Sequence, residues 1–290
     1  MGTIPLKRTP LPAVRPTQAV PMTFLRWAGS KKQLLETLSS YWHQAQATGG
    51  SGRYIEAFSG SAALFFRINP ERAILIDSNE SLQECLRVVQ SNPLSVATLL
   101  RRFEPSSEKY YEVRALDDAH LTGIERAARF IYLNRHCFNG LYRTNRAGKF
   151  NVPYGKSNKS GNMPTETELL LASDSLGVAE IKVGDFDAVV RASAKKGDFL
   201  YMDPPYAKAN ERIRNQYGPN VFGTEDVHRL SALATYLDAM GVFFLISYAK
   251  CEEVKALASK WNSREVTVQR SIAASTSRRK KVAELLITNL

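Results

Sequence analysis

The sequence predicts an α/β protein with a parallel sheet, interrupted by a basic insertion. Three observations predict it. Residues 23–90 alternate short apolar runs with helical spacing. A glycine turn joins the first apolar run to the helix that follows. The same alternation returns over residues 179–290, after a stretch, 91–178, of different character. With 290 residues, 44% of them hydrophobic, the chain can bury a core and has room for roughly two folding units, or one large unit with an insertion.

Taken in order, residues 1–22 hold Pro5, Pro10, Pro12, Pro16 and Pro21 with Lys7, Arg8 and Arg15, the composition of a flexible arm that is either inert or grazes a phosphate backbone. Apolar side chains at Leu34, Leu35, Leu38 and Trp42 predict a helix over 31–42, and Gly49-Gly50-Ser51-Gly52 a loop. Tyr54-Ile55-Glu56-Ala57-Phe58 reads as a strand, and Ser59-Gly60-Ser61 turns into a helix over 62–68 that Asn69-Pro70 ends. Ala73-Ile74-Leu75-Ile76 is a second strand reaching Asp77, and 82–89 is helical. Strand, glycine turn, helix and strand form a βαβ unit, which implies a right-handed crossover and parallel pairing.

The stretch 91–178 carries helical patterns over 95–103 and 124–134, then a polar, glycine-bearing segment over 139–161. Arg135, Arg143, Arg146, Lys149, Lys156 and Lys159 make it the candidate ligand-facing region. Strands return at Ala179–Val183, 198–202 and 242–247. An amphipathic helix over 227–240 is opened by Thr224 with Asp226 in its first turn, and 265–270 with 284–288 read as a closing strand pair.

Lys plus Arg number 39 against 28 Asp plus Glu, a formal charge of +11 that favours a polyanionic partner, nucleic acid or an anionic membrane surface. No apolar run approaches the roughly 20 residues of a membrane-spanning helix, and no charged-then-apolar leader opens the chain, so a cytoplasmic protein is expected. Cys85, Cys137 and Cys251 form no C-x-x-C, and His43, His120, His136 and His228 have no ligand spacing, so neither disulfides nor a metal site are expected.

The strongest chemical signal is Asp203-Pro204-Pro205-Tyr206, directly after an apolar strand. Ligands of open α/β sheets bind beyond the carboxyl ends of strands. Two prolines remove two amide donors, leaving a carbonyl acceptor beside a carboxylate, with an aromatic face next to both. Such a site suits a planar ligand bearing an amino group; the alternative is a proline turn that simply closes the strand. The second signal is the glycine turn 59–61 followed by Asp77, placed to hold ribose hydroxyls. The full G-x-G-x-x-G is absent, so a nucleoside-like cofactor without phosphates fits better than a dinucleotide. The third is Phe24-Leu25-Arg26-Trp27-Ala28-Gly29-Ser30-Lys31, which reads either as a wrap for a ligand carboxylate or as a core Trp with a solvated Lys.

Together these stretches resemble the Dam-type, D12-class adenine-N6 DNA methyltransferases, in family order over residues 23–288. Residues 24–31 are similar to the family's N-terminal cofactor motif, 54–66 to its glycine turn, Asp77 to its ribose-binding acid and 203–206 to its catalytic tetrapeptide. Leu133-Asn134-Arg135-His136-Cys137-Phe138-Asn139-Gly140-Leu141 and Phe150-Asn151-Val152-Pro153-Tyr154-Gly155 resemble its DNA-contacting segment, and Ser271-Ile272 with 278–286 its C-terminal hairpin.

The resemblance implies a Rossmann-like sheet, S-adenosylmethionine as methyl donor and double-stranded DNA as partner. It implies a catalytic domain of 23–90 with 179–290 and a helical target-recognition insertion over 91–178. Trp27, Lys31, Glu56, Phe58, Gly60 and Asp77 are implied to hold the cofactor, with Asp185 and Phe186 at its adenine. Phe138 is implied to wedge the opened duplex, flanked by Asn139 and Leu141. Arg143 is implied to read guanine, for which its fork is suited, with Arg135, Pro153 and Lys156 in the same segment. The chain departs from the family at Ala57 (usually Pro) and Ala62 (usually Gly), and at Lys156-Ser157, where the best-known member has an arginine–tyrosine pair that reads bases.

An adenine-N6 DNA methyltransferase is therefore expected. Two alternatives stay open: a related amino-group methylase on another base or on RNA, and a DNA-binding homologue without turnover.

Overall fold

The computed structural model describes residues 23–145, 147–155, 162–205, 222–269 and 281–290. Seven strands form one mixed sheet: β1 Arg53–Ala57, β2 Arg72–Asp77, β3 Ala179–Val183, β4 Phe199–Met202, β5 Phe243–Ala249, β6 Asn262–Gln269 and β7 Lys281–Thr288. Their order is β3-β2-β1-β4-β5-β7-β6. The first five run parallel, with Ile55 opposite Ile74 on one side and Leu200 on the other. β7 lies antiparallel between β5 and β6. This is the Rossmann-like α/β architecture expected.

Ten helices surround the sheet among the described residues: α1 Leu35–Ala47, α2 Ala63–Ile68, α3 Glu80–Ser91, α4 Pro93–Leu100, α5 Ser107–Ala115, α6 Gly123–His136, α7 Glu166–Leu176, α8 Phe186–Ser193, α9 Thr224–Ala239 and α10 Glu252–Ala258. Strand alternation splits the core in two, because successive side chains point to opposite faces. Tyr54, Leu75, Phe199, Tyr201, Leu245 and Leu286 pack beneath α1 to α7. Ile55, Ile74, Leu200, Phe244 and Ile287 pack against α8 to α10. Both faces are covered, which explains why the strands read as near-continuous apolar runs.

Local chemistry sets the helix ends. Asn79 caps α3 by accepting from the Leu82 amide at 3.1 Å, and Ser106 caps α5 by accepting from Lys109 at 3.1 Å. Thr122 with Glu125 and Thr165 with Glu168 form reciprocal capping boxes that open α6 and α7. α5, α7, α8 and α10 lie outside the stretches singled out from periodicity, although the Thr165-x-x-Glu168 signature of α7 was there to be read. Trp42 and the stretch before it divide differently from expectation: a 3-10 turn covers Lys32–Leu34 and the α-helix starts at Leu35.

Strand order reverses between β1 and β4: from β1 the chain crosses to β2 on one side, and later returns to β4 on the other. A crevice opens beyond the carboxyl ends of strands at such a switch point. Ala57 and Met202 are paired there, so the chain following each strand borders that crevice.

Candidate active site

The β1–α2 turn is a run of unusual backbone. Phe58, Gly60 and Ala62 have φ of 62°, 49° and 52°. The Gly60 amide donates to Asp77 Oδ2 at 2.9 Å and the Asn79 amide to Oδ1 at 2.9 Å, so the acid at the end of β2 is aimed by two backbone donors. Burial nevertheless raises its carboxyl above the ordinary value. A Cβ on Gly60 would stand 2.8 Å from Trp27 Cδ1; glycine is what lets the indole lie on the turn. Trp27 is brought there by a clasp in which the Asn134 amide on α6 accepts from the Arg26 amide at 2.8 Å and donates to its carbonyl at 2.6 Å. Ala62, the departure from the expected glycine, is buried and adopts the left-handed conformation glycine would have taken.

Glu56 lies beneath this turn. Its Oε2 accepts from the Tyr54 hydroxyl at 3.0 Å and the Phe65 amide at 3.2 Å. Burial pushes its carboxyl up to about 8, with Asp203 and Asp77 adding to the effect.

Across the crevice, Asp203 follows β4. Lys31 Nζ donates to its Oδ1 at 2.7 Å and Oδ2 at 2.8 Å, and the Ser247 hydroxyl on β5 donates to Oδ1 at 2.8 Å. The Tyr201 hydroxyl lies 2.9 Å from Ser247 Oγ, and Glu284 Oε2 on β7 stands 3.8 Å from Lys31 Nζ. Lys31 is therefore drawn to the Asp203 carboxylate, a role beyond the cofactor contact expected of it. Pro204 is buried and Pro205 exposed; Tyr206 lies outside the described residues.

An aromatic cluster closes the side toward β2. The Phe58 and Phe186 ring centroids are 4.9 Å apart, and Phe222 lies 5.8 Å from Phe58 and 6.1 Å from Phe186. Asp185 caps α8, accepting from the Asp187 and Ala188 amides at 3.1 and 3.2 Å, and pairs with Arg229, whose guanidinium sits 4.8 Å over the Phe186 ring. Burial works to raise its carboxyl, but Arg229 and the helix amides outweigh that and hold it below its ordinary value.

The expected DNA-contacting segment leaves the end of α6. Phe138 is 39% exposed and Asn139, at φ 55°, is also exposed. The Phe138 amide donates to the carbonyl of exposed Pro153 at 2.9 Å, while Leu141 is half-buried. Arg143 Nε donates to Asn151 Oδ1 at 2.7 Å. Arg135 is half-buried, and its guanidinium donates to the carbonyls of Asn162 and Phe24. Lys156, the Ser271-Ile272 pair, Arg270, Arg146, residues 157–161 and 278–280 and the arm 1–22 lie outside the described residues.

Sequence reasoning missed Tyr201, Ser247, Glu284, Arg229 and Phe222. A signal existed for two of them: Ser247 lies between Ile246 and Tyr248, and Glu284 between Ala283 and Leu285, each a polar residue in an apolar run. It also missed Tyr142, which stacks on Trp27 (centroids 5.8 Å, 21°). Among the described residues no group of three or more His, Cys, Asp or Glu is placed to hold a metal ion, and no helix is long and apolar enough to cross a membrane.

Residues 27–272 match the D12 class of N6 adenine-specific DNA methyltransferases. The chain is 34% identical over 275 residues to the type II methyltransferase M1.LlaDCHI of Lactococcus lactis subsp. cremoris, covering 92% of this chain and 94% of that one. It is 32% identical to the type II methyltransferase M.MjaIII of Methanocaldococcus jannaschii, covering 92% and 98%. It is 31% identical to the DNA adenine methylase of Escherichia coli K12, covering 91% and 93%. A switch-point crevice bordered by the tetrapeptide acid, an aimed strand-end carboxylate and a match over most of the chain lead to one statement: this protein belongs to the D12 class of N6 adenine-specific DNA methyltransferases.

Proposed function

We propose that this chain methylates N6 of an adenine rotated out of double-stranded DNA, with S-adenosylmethionine as donor and Asp203-Pro204-Pro205-Tyr206 as the catalytic tetrapeptide. The observation that carries the reading is Asp203, a carboxylate at the switch point held by Lys31 and Ser247 beside the β1–α2 turn.

The side chains around that turn fit a nucleoside-bearing donor. Asp77, aimed by two amides, suits ribose hydroxyls. Phe58 and Phe186, in contact with centroids 4.9 Å apart, offer an aromatic wall for a purine, with Asp185 next to Phe186 in the chain. Gly60 leaves the turn without a side chain, and Trp27 lies against it. Glu56, protonated at neutral pH, supports the turn from beneath through the Phe65 amide, and Lys31 supplies the cation of the site. Ala57 and Ala62 do not close the turn, since Ala62 keeps the left-handed backbone. Bound there, S-adenosylmethionine supplies an electrophilic methyl group on a sulfonium.

The chain's own residues do the rest. Rotating a base out of a duplex costs a few kcal/mol, and stacking on the aromatic face of Tyr206 returns roughly 1–3 kcal/mol. The adenine amino nitrogen is a weak nucleophile because its lone pair is delocalised into the ring. Asp203 and the Pro204 carbonyl accept its two hydrogens, favour a pyramidal nitrogen and stabilise positive charge as it develops. Phe138 fills the space the base leaves, Asn139, Leu141 and Pro153 border it, and Arg143 reads a guanine, with Lys156 and the rest of the basic insertion 91–178 on phosphates. Phosphate contacts set affinity and make it fall with salt.

The test is transfer of labelled methyl from S-adenosylmethionine to duplex DNA, single-stranded DNA and RNA. Label recovered as N6-methyladenine from the duplex is the expected result. Label on another base or in RNA alone, or duplex binding without label, overturns the reading.

A further inference from the structure

Four adjacent strands, β1, β4, β5 and β7, each carry a buried polar side chain flanked by apolar or aromatic neighbours: Glu56, Tyr201, Ser247 and Glu284. Glu56 is opposite Tyr201 in the β1–β4 register, and Glu284 is opposite Ala249, two residues beyond Ser247, in the β5–β7 register. With the two-residue period, Glu56, Tyr201, Ser247 and Glu284 share the sheet face that packs beneath α1 to α7. All four are buried.

The proton positions along this row follow from its chemistry. A serine hydroxyl has one proton. Ser247 gives it to Asp203 Oδ1, so the 2.9 Å contact to Tyr201 is one in which the phenol donates and Ser247 accepts. Burial holds the Tyr201 hydroxyl well above its ordinary value, so it keeps the proton that it donates here. The chain of donors runs Tyr201 to Ser247 to Asp203 and ends on one carboxylate oxygen. The charged groups facing it are Lys31 on both Asp203 oxygens, Glu284 behind Lys31, and Glu56 across from Tyr201.

We propose that Ser247 and Tyr201 are positioning residues for the methyl-transfer reaction: their two hydroxyls lock Oδ1 of Asp203 from the strand side, so that Oδ2 is presented to the target amino group. The proposal rests on the reading of Asp203 as the acceptor for that group. Lys31, a long flexible side chain, is the partner that can yield when the amino group arrives. Ser247 and Tyr201 cannot, because both are fixed by strand backbone in a closed core. A carboxylate free to rotate would spend most of its time misdirected, and misplacement of a catalytic group lowers turnover without changing how tightly the substrates bind.

The test is steady-state kinetics of Ser247→Ala, Tyr201→Phe and the double variant on unmethylated duplex DNA with labelled S-adenosylmethionine, with wild type and Asp203→Ala run beside them. Losing one hydrogen bond to a charged group predicts a fall in kcat of about 10- to 100-fold for Ser247→Ala, with KM for both substrates within about twofold. Tyr201→Phe should lose less, and the double variant no more than Ser247→Ala, since Tyr201 acts through Ser247. Wild-type kcat in both single variants, losses that multiply in the double variant, or a raised KM with unchanged kcat each overturn the proposal. If Asp203→Ala is inactive while the hydroxyl variants turn over normally, only the positioning role is lost; if Asp203→Ala turns over, the reading beneath it fails as well.

Discussion

The crevice at the strand ends and the segment 138–155 differ in what they leave exposed. At the crevice the functional side chains are held by other side chains and by aimed amides: Asp203 by Lys31 and Ser247, Asp77 by Gly60 and Asn79. Along 138–155 backbone bonds, such as Phe138 to Pro153 at 2.9 Å, Gly155 to His136 at 2.8 Å and Asn151 to Arg143 at 3.0 Å, stand beside side-chain bonds such as Arg143 Nε to Asn151 Oδ1 at 2.7 Å, while Phe138 and Asn139 face outward. Chemistry on a poor nucleophile needs groups fixed before the substrate arrives. Reading a duplex needs side chains that can reach the bases, and Phe138 and Asn139 are exposed.

The comparison breaks most visibly at Asp203. Asp203→Ala should lower turnover by at least about 100-fold while gel-shift affinity for duplex DNA stays within about twofold. Comparable loss of binding would move Asp203 into the recognition surface. Glu56 offers the next largest effect, on stability. Its carboxyl is raised from 4.5 to about 8, so the unfolded chain releases the proton above pH 4.5 while the native protein keeps it until about pH 8. Stability therefore falls as pH rises between those limits and is flat with respect to this group outside them, a loss of at most about 5 kcal/mol at roughly 1.4 kcal/mol per unit. Glu56→Gln should flatten that slope in urea melts at pH 5 and pH 8; an unchanged slope would show that Glu56 is not the group responsible.

On the recognition side, Arg143→Ala should cost about 1–3 kcal/mol at one base pair and relax sequence choice there, measured by methylation of a site library. A uniform loss across all sequences would make it a phosphate contact. The smallest effect separates the two regions by backbone alone. Ala62→Gly removes a side chain from a left-handed position in the crevice turn and should stabilise the protein by about 0.5–1 kcal/mol. A lower melting temperature would mean that the buried methyl contributes more than its backbone strain costs.

The central strands, the glycine turn and the long helices were legible because each is a local pattern: apolar runs bounded by Gly50, Gly52, Asn69 and Pro70, and a helical stripe at Leu34, Leu38 and Trp42. The short helices α5, α8 and α10 were not; unlike α2, which sits between a glycine turn and Asn69-Pro70, they carry no such punctuation at both ends. Asp203, Asp77 and Lys31 could be singled out from their motifs. That Lys31 reaches Asp203, 172 residues away, could not. That the Arg135 guanidinium meets the carbonyls of Asn162 and Phe24 could not be read from its motif either.

The amino-acid sequence by itself determined the element types, the parallel core and the acid that ends β4, since propensity, alternation and turn chemistry act between near neighbours. Only the tertiary structure decided which polar groups share the crevice. Tyr201 and Ser247 become partners because β4 and β5 are adjacent and in register. Strand pairing joins residues by hydrogen bonds across the sheet, over distances along the chain at which no sequence pattern operates.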